Sequence, residues 1–161
     1  NVFQEALSAS PEKIDAAETK IKELKVYRNI PGFDFVNETI LGGYDNYNYR
    51  KASDRRYMID LTIESRTEEI ELDERYSLDK NRETISGVEV QYAFQDEVVF
   101  NGSILSKAYE ELEFIYFKDE KAYIGLVTRT DAASDKNGLK ATMNTFVKSM
   151  MEAEHSNQDN Q

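Results

Sequence analysis

The chain has 161 residues with a formal net charge of −11 and an isoelectric point near 4.6, a length that suits one domain with its own core and a radius of gyration of about 15 Å. The acidity sets most of the surface against nucleic-acid backbones and anionic membranes, which disfavours a nucleic-acid role. Cysteine is absent, so thiolate nucleophiles, disulfides, zinc–thiolate sites and thiol redox chemistry are excluded together.

Residues 1–9 read as a linker or disordered lead. A helical unit follows over 10–28: Ser10 suits an N-cap, Pro11 the first helical position, and Ile14, Ala17, Ile21 and Leu24 recur at spacings of three and four up to Tyr27. The stripe is narrow, as expected of a helix lying on a sheet or on another copy of the chain. Pro31-Gly32 ends helical structure and starts an extended segment, Phe33 to Val36, that opens a sheet region over 31–130. Gly42-Gly43 marks a turn, after which Tyr44, Tyr47 and Tyr49 sit among Asp45, Asn46, Asn48 and Arg50 in a further strand. Tyr57, Ile59, Leu61 and Ile63 alternate with Met58, Asp60, Thr62 and Glu64, the pattern of a strand with one buried face.

The charged stretch from Ser65 to Arg82 reads as a surface connection or a short helix. Ser86-Gly87 then turns into a strand with Val88, Val90, Tyr92 and Phe94 on one side. Asn101-Gly102, inside Val98 to Leu105, is the strongest two-residue hairpin signal, either a tight hairpin of its own or a loop tip between longer strands. Tyr109 to Arg129 reads as a further hairpin broken by Lys118-Asp119-Glu120-Lys121. Its pattern is expected to place Leu112, Phe114 and Tyr116 with Ala122, Ile124 and Leu126 beneath the last helix. Ile115, Phe117, Tyr123 and Val127 would then form a second apolar face, covered by the N-terminal helix or serving as a binding surface. The last helix, over 134–152, presents Leu139, Met143, Phe146, Val147 and Met150 on one side, and 153–161 reads as a disordered tail. Strands in succession without intervening helices predict one α+β domain, an antiparallel sheet with both helices packed on it, rather than a parallel βαβ sheet.

The catalytic inventory is thin. The single histidine, His155, falls in the polar tail, with no scaffold to orient it as a base or ligand. No nucleophile elbow, dinucleotide or phosphate-binding glycine pattern, HExxH pair or EF-hand loop occurs, and no cofactor or metal is implied. Acidic pairs such as Glu111 and Glu113 on one strand face, with Glu89 nearby, could serve a hydrolase, but solvated acids on a wet sheet face give the same pattern. The run Glu68, Glu69, Glu71, Asp73 and Glu74 lacks the spacing of a calcium loop and reads as a solvated charge run. Ten tyrosines with no tryptophan are the compositional oddity. Tyrosine beside asparagine suits an adaptable recognition surface, so Tyr44, Tyr47, Tyr49, Tyr92 and Tyr116 are the candidate ligand-binding residues, with a core role as the plain alternative.

From Ile30 to Met150 the succession NIPGFDF, RRYMIDLTIES, ISGVEVQY, ELEFIYFKDEKAYIGLVTR and NTFVKSM resembles small extracytoplasmic domains of unknown function in Gram-positive lipoproteins and membrane-anchored proteins. Its architecture is similar to the PsbP-type α/β/α sandwich. The resemblance carries no catalytic residue. It implies an exported, noncatalytic module that binds a protein, peptide or envelope component through its sheet, as a monomer or weak homodimer. The start at Asn1, with no signal peptide and no run of about 20 apolar residues, adds the expectation of a preceding anchor. The alternative is a hydrolase-like enzyme using acidic residues, which two carboxylates converging in a concave pocket would favour.

Overall fold

The computed structural model describes residues 10–69, 72 and 80–159. In chain order the elements are α1 (Pro11–Tyr27), β1 (Phe33–Leu41), β2 (Tyr44–Lys51), β3 (Tyr57–Ser65), β4 (Asn81–Ile85), β5 (Val88–Phe94), β6 (Val98–Phe100), β7 (Ser103–Ser106), β8 (Glu111–Lys118), β9 (Lys121–Arg129) and α2 (Lys136–Asp159). Seven strands make one sheet in the order β1-β2-β3-β9-β8-β5-β4, and β6 and β7 pair as a separate two-stranded ribbon. Every pairing is antiparallel. The α+β fold expected from the run of strands is therefore present, with N- and C-terminal helices packed on a large antiparallel sheet.

Alternation decides what each face holds. Tyr47 and Tyr49 of β2, Ile59 and Leu61 of β3, Val127 of β9, Leu112 and Phe114 of β8, and Val90 and Phe94 of β5 join Leu139, Met143, Phe146 and Met150 of α2 in one buried cluster. Phe146 is the hub: its ring centroid lies 5.0 Å from that of Phe33, 5.1 Å from Tyr49 and 6.5 Å from Phe114. Gly125 belongs to this packing, because a Cβ there would fall within the Phe114 ring. Five fully buried α2 side chains, Leu139, Met143, Phe146, Val147 and Met150, contribute roughly 10 kcal/mol before entropy, which makes this helix decisive for folding.

The α/β/α layering is corrected by where α1 lies. Lys20 bonds Asp45, Lys121 pairs with Glu23 at 3.7 Å, and the Tyr27 ring sits 4.9 Å from Tyr47. Asp45, Tyr47 and Lys121 all point to the face that α2 covers, so both described helices share one side of the sheet. Leu24, Val26 and Tyr27 pack on that core while Ile14 stays exposed. Only the end of the apolar stripe is used.

The second hairpin also differs from its expected facing. Lys118 pairs with Lys121, Tyr116 with Tyr123, Phe114 with Gly125 and Leu112 with Val127, so Ala122, Ile124 and Leu126 turn away from the helices with Ile115 and Phe117. The charged break is a two-residue turn, with Asp119 and Glu120 both at positive φ, and not a four-residue loop. Residues opposite one another share a face, so Tyr123, Gly125 and Val127 form the inner side of β9, one residue out of phase with the expected set Ala122, Ile124 and Leu126. Ser86-Gly87 and Asn101-Gly102 turn in the same left-handed way. The Asn101-Gly102 hairpin stands alone as the β6–β7 ribbon, resolving the two alternatives left open for it.

Two further differences concern extent. β4 starts at the end of the charged connection and runs to Ile85, its only apolar residue, so no alternation announces it. Helix α2 runs to Asp159, and His155 is an exposed residue of that helix, not of a tail.

Candidate functional site

The candidate tyrosines do come together, on the wrong side for binding. Tyr47, Tyr49, Tyr92 and Tyr116 share the helix-covered face and are 0, 0, 7 and 2 % exposed. The groove they were expected to line is filled by α2, and they serve as core. Tyr44 alone is exposed, at the β1–β2 turn.

Burying phenols requires partners for their hydroxyls, and one carboxylate supplies two of them. Tyr27 from α1 and Tyr123 from β9 each donate to Glu154 Oε2 at 2.9 Å, Lys118 Nζ lies 4.0 Å from Glu154 Oε1, and Tyr123 stacks on Tyr116 with centroids 4.5 Å apart. Tyr49 donates to the Tyr27 carbonyl at 2.5 Å. Burial first, and then the negative charge of Glu154, pushes Tyr27, Tyr116 and Tyr123 well above the ordinary tyrosine range. A cleft of about 490 Å³ opens beside Glu154 between α1 and the β8–β9 turn, but its centre is this bolt between helix and sheet.

A second polar knot secures the start of α2. Asp135 accepts from the Gly138 N–H at 2.9 Å, from Arg129 at 2.8 Å and from the Tyr57 hydroxyl. The Tyr57 bond first, then the Gly138 N–H, hold its carboxyl below the usual carboxylate range. This is a helix cap, with Asp135 at the N-terminal end of the helix dipole.

The opposite face of the sheet is different in kind. Leu72 lies over Ala93 and Ile115, with Ile124 packed beside them. Next to that small cluster a groove of about 530 Å³ is lined by Asp60, Thr62, Gln95, Asp96, Val98, Glu111, Glu113 and the β9 residues Ile124, Gly125 and Leu126. The register explains the spacing: Asp60 pairs with Leu126, and Leu126 with Glu113, which puts two carboxylates in one transverse row on either side of a leucine. Glu111 and Glu113 do share this face, as alternate residues of β8. Glu89 lines a separate hollow with Gln91 and Phe117.

Val98 connects the groove to the β6–β7 ribbon. Val98, Val99, Phe100, Ile104 and Leu105 are all exposed, Phe100 by 62 % and Leu105 by 66 %. The ribbon's base is fixed: Tyr109 N–H donates to the Gln95 carbonyl at 3.0 Å, Gln95 N–H to the Glu111 carbonyl at 3.0 Å, and Ser106 Oγ to Gln95 Oε1 at 2.9 Å. A firmly based hairpin thus holds large apolar side chains in water. Sequence reasoning found the hairpin but neither its exposure nor Asp60 and Asp96 beside it. The available signal was Val98-Val99-Phe100 before Asn-Gly and Ile104-Leu105 after it, apolar runs without the alternation of a half-buried strand.

Glu68 and Glu69 of the acidic run are exposed, and residues 71, 73 and 74 lie outside the described residues. Among the described residues no group of three or more acids or histidines is placed to hold a metal ion, and no helix is long and apolar enough to cross a membrane. No protein-family model matches the chain, and neither a curated protein nor a solved structure does.

Proposed function

We propose that this chain is a noncatalytic binding module that holds a protein, peptide or envelope component against the uncovered face of its sheet. One observation carries the reading: the β6–β7 ribbon exposes five large apolar side chains, and its first residue, Val98, lines the groove. Contiguous exposed apolar surface rimmed by polar groups marks interaction sites, and covering Phe100 and Leu105 fully would contribute about 1.5–3 kcal/mol each before entropy. Extracytoplasmic location, a preceding membrane anchor and kinship with small domains of Gram-positive lipoproteins complete the proposal. They rest on the motif succession from Ile30 to Met150 and on the absence of cysteine.

A photo-crosslinking residue placed at Phe100 and, separately, at Lys140 on the helix side tests the binding role in intact cells. Discrete adducts from position 100 alone are expected. Adducts from both positions, or from neither, contradict it, and protease treatment of intact cells tests the location.

A hydrolase is the second reading, favoured by the carboxylates in the groove. Glu111 and Glu113 project from alternate positions of one strand, roughly 7 Å apart along it, within the range at which paired carboxylates act on glycosidic bonds. Turnover of a glycan that Glu113→Gln abolishes would establish it; binding without turnover supports the module.

A further inference from the structure

The groove's charge and the ribbon's apolar surface together specify an occupant. Four carboxylates, Asp60, Asp96, Glu111 and Glu113, line the groove, and among the described residues no lysine or arginine does. Asp60 receives an amide hydrogen bond from Asn46 at 2.8 Å. Among the described residues no cation lies within ion-pair distance of Asp60, Asp96 or Glu111. This contrasts with Asp54, Asp131 and Asp135 on the molecule, each held by an arginine. Val98 lines the groove beside these carboxylates, Phe100 and Leu105 stand exposed on the same ribbon, and among the described residues β6 and β7 pair only with each other, which leaves each one backbone edge.

We propose that the groove and ribbon bind an extended, cationic amphipathic peptide segment, its lysine or arginine side chains on Asp60, Asp96 and Glu111 and its apolar side chains against Phe100 and Leu105. The inference rests on the binding-module reading and adds the chemistry of the partner. An extended segment alternates its side chains, so basic residues meet the acidic floor while backbone groups add to a free edge of the ribbon. The net charge of −11 steers such a segment toward the protein and repels an acidic one. A lipid surface fits less well. Asp96 and Glu97 before the ribbon and Glu110 and Glu111 after it would be carried against the headgroups of any bilayer it entered, and anionic headgroups repel them.

The test uses the whole chain and fluorescent peptides of about nine residues in which lysine alternates with leucine, glutamate with leucine, or lysine with serine. The lysine–leucine peptide is expected to bind at least about tenfold more tightly than either other peptide, and to weaken about tenfold between about 50 and 500 mM salt. Asp96→Asn with Glu111→Gln should weaken it about fivefold or more. Phe100→Ser with Leu105→Ser, at positions exposed enough to leave the circular-dichroism spectrum and thermal midpoint unchanged, should abolish it. If the glutamate–leucine peptide binds as well and the Phe100/Leu105 variant loses it, the cationic assignment is overturned while the binding module stands. If no peptide binds, the cationic-peptide inference falls, and the binding module is then decided by the crosslinking at Phe100. Ribbon-dependent binding to vesicles of phosphatidylcholine with or without phosphatidylglycerol, in place of peptide, overturns the inference in favour of a membrane surface.

Discussion

The two faces of the sheet use the same strands and opposite chemistry. The covered face concentrates aromatic rings around Phe146 and pairs three of its phenols with carboxylates, Tyr27 and Tyr123 on Glu154 and Tyr57 on Asp135. The uncovered face leaves carboxylates in a groove and apolar side chains in water beside it. Features that destabilise an isolated domain, acids grouped together and a bare apolar ribbon, gather on the side where none of the described helices lies. Stability resides on one side, and the proposed binding surface lies on the other.

That division can be broken most directly at its hub. Phe146→Ala should cost about 3–5 kcal/mol in chemical denaturation, because three rings lose their shared neighbour. A loss below about 1 kcal/mol would mean that α2 is not the cover described. Glu154→Ala should cost about 1–3 kcal/mol, since two buried phenols lose their acceptor; Tyr27→Phe in that background should then cost little more.

The pH profile sharpens the same contrast. Burial, followed by nearby carboxylates and phenols, raises Tyr27, Tyr47, Tyr49, Tyr116 and Tyr123 above their ordinary range. Unfolded tyrosines lose their protons near about pH 10, so the stability these groups contribute is fully present below that pH and declines above it. Tyrosinate absorbance should therefore rise together with loss of the circular-dichroism signal. Full reversible titration near pH 10 of a protein that stays folded would contradict this burial. The smallest effect belongs to the other face: Phe100→Ser with Leu105→Ser should shift stability by no more than about 0.5 kcal/mol, as exposed substitutions do.

Local chemistry made much of this legible. Pro11, the spacing to Leu24 and Pro31-Gly32 delimit α1, alternation from Tyr57 to Ile63 gives β3, and Asn101-Gly102 gives the ribbon's turn. Facing was harder. From Leu112 to Phe117 and from Ala122 to Val127 apolar residues occupy both sides, so alternation cannot say which is inner, and a phase misplaced by one residue reversed β9. The tyrosines misled for a related reason: a phenol suits a wet recognition surface and a core equally well, and Glu154, which settles the matter for Tyr27 and Tyr123, lies far from both in sequence. The groove was invisible because Asp60, Asp96 and Glu113 meet only through the order β3-β9-β8-β5.

An NMR titration of the labelled protein with the lysine–leucine peptide tests the central claim most directly. Amide shifts confined to Val98 through Ser106, Glu111, Glu113 and Leu126 are predicted, with α1, α2 and β1 unchanged. Shifts centred on the helices or on the β1 edge would contradict the assignment of binding to the uncovered face.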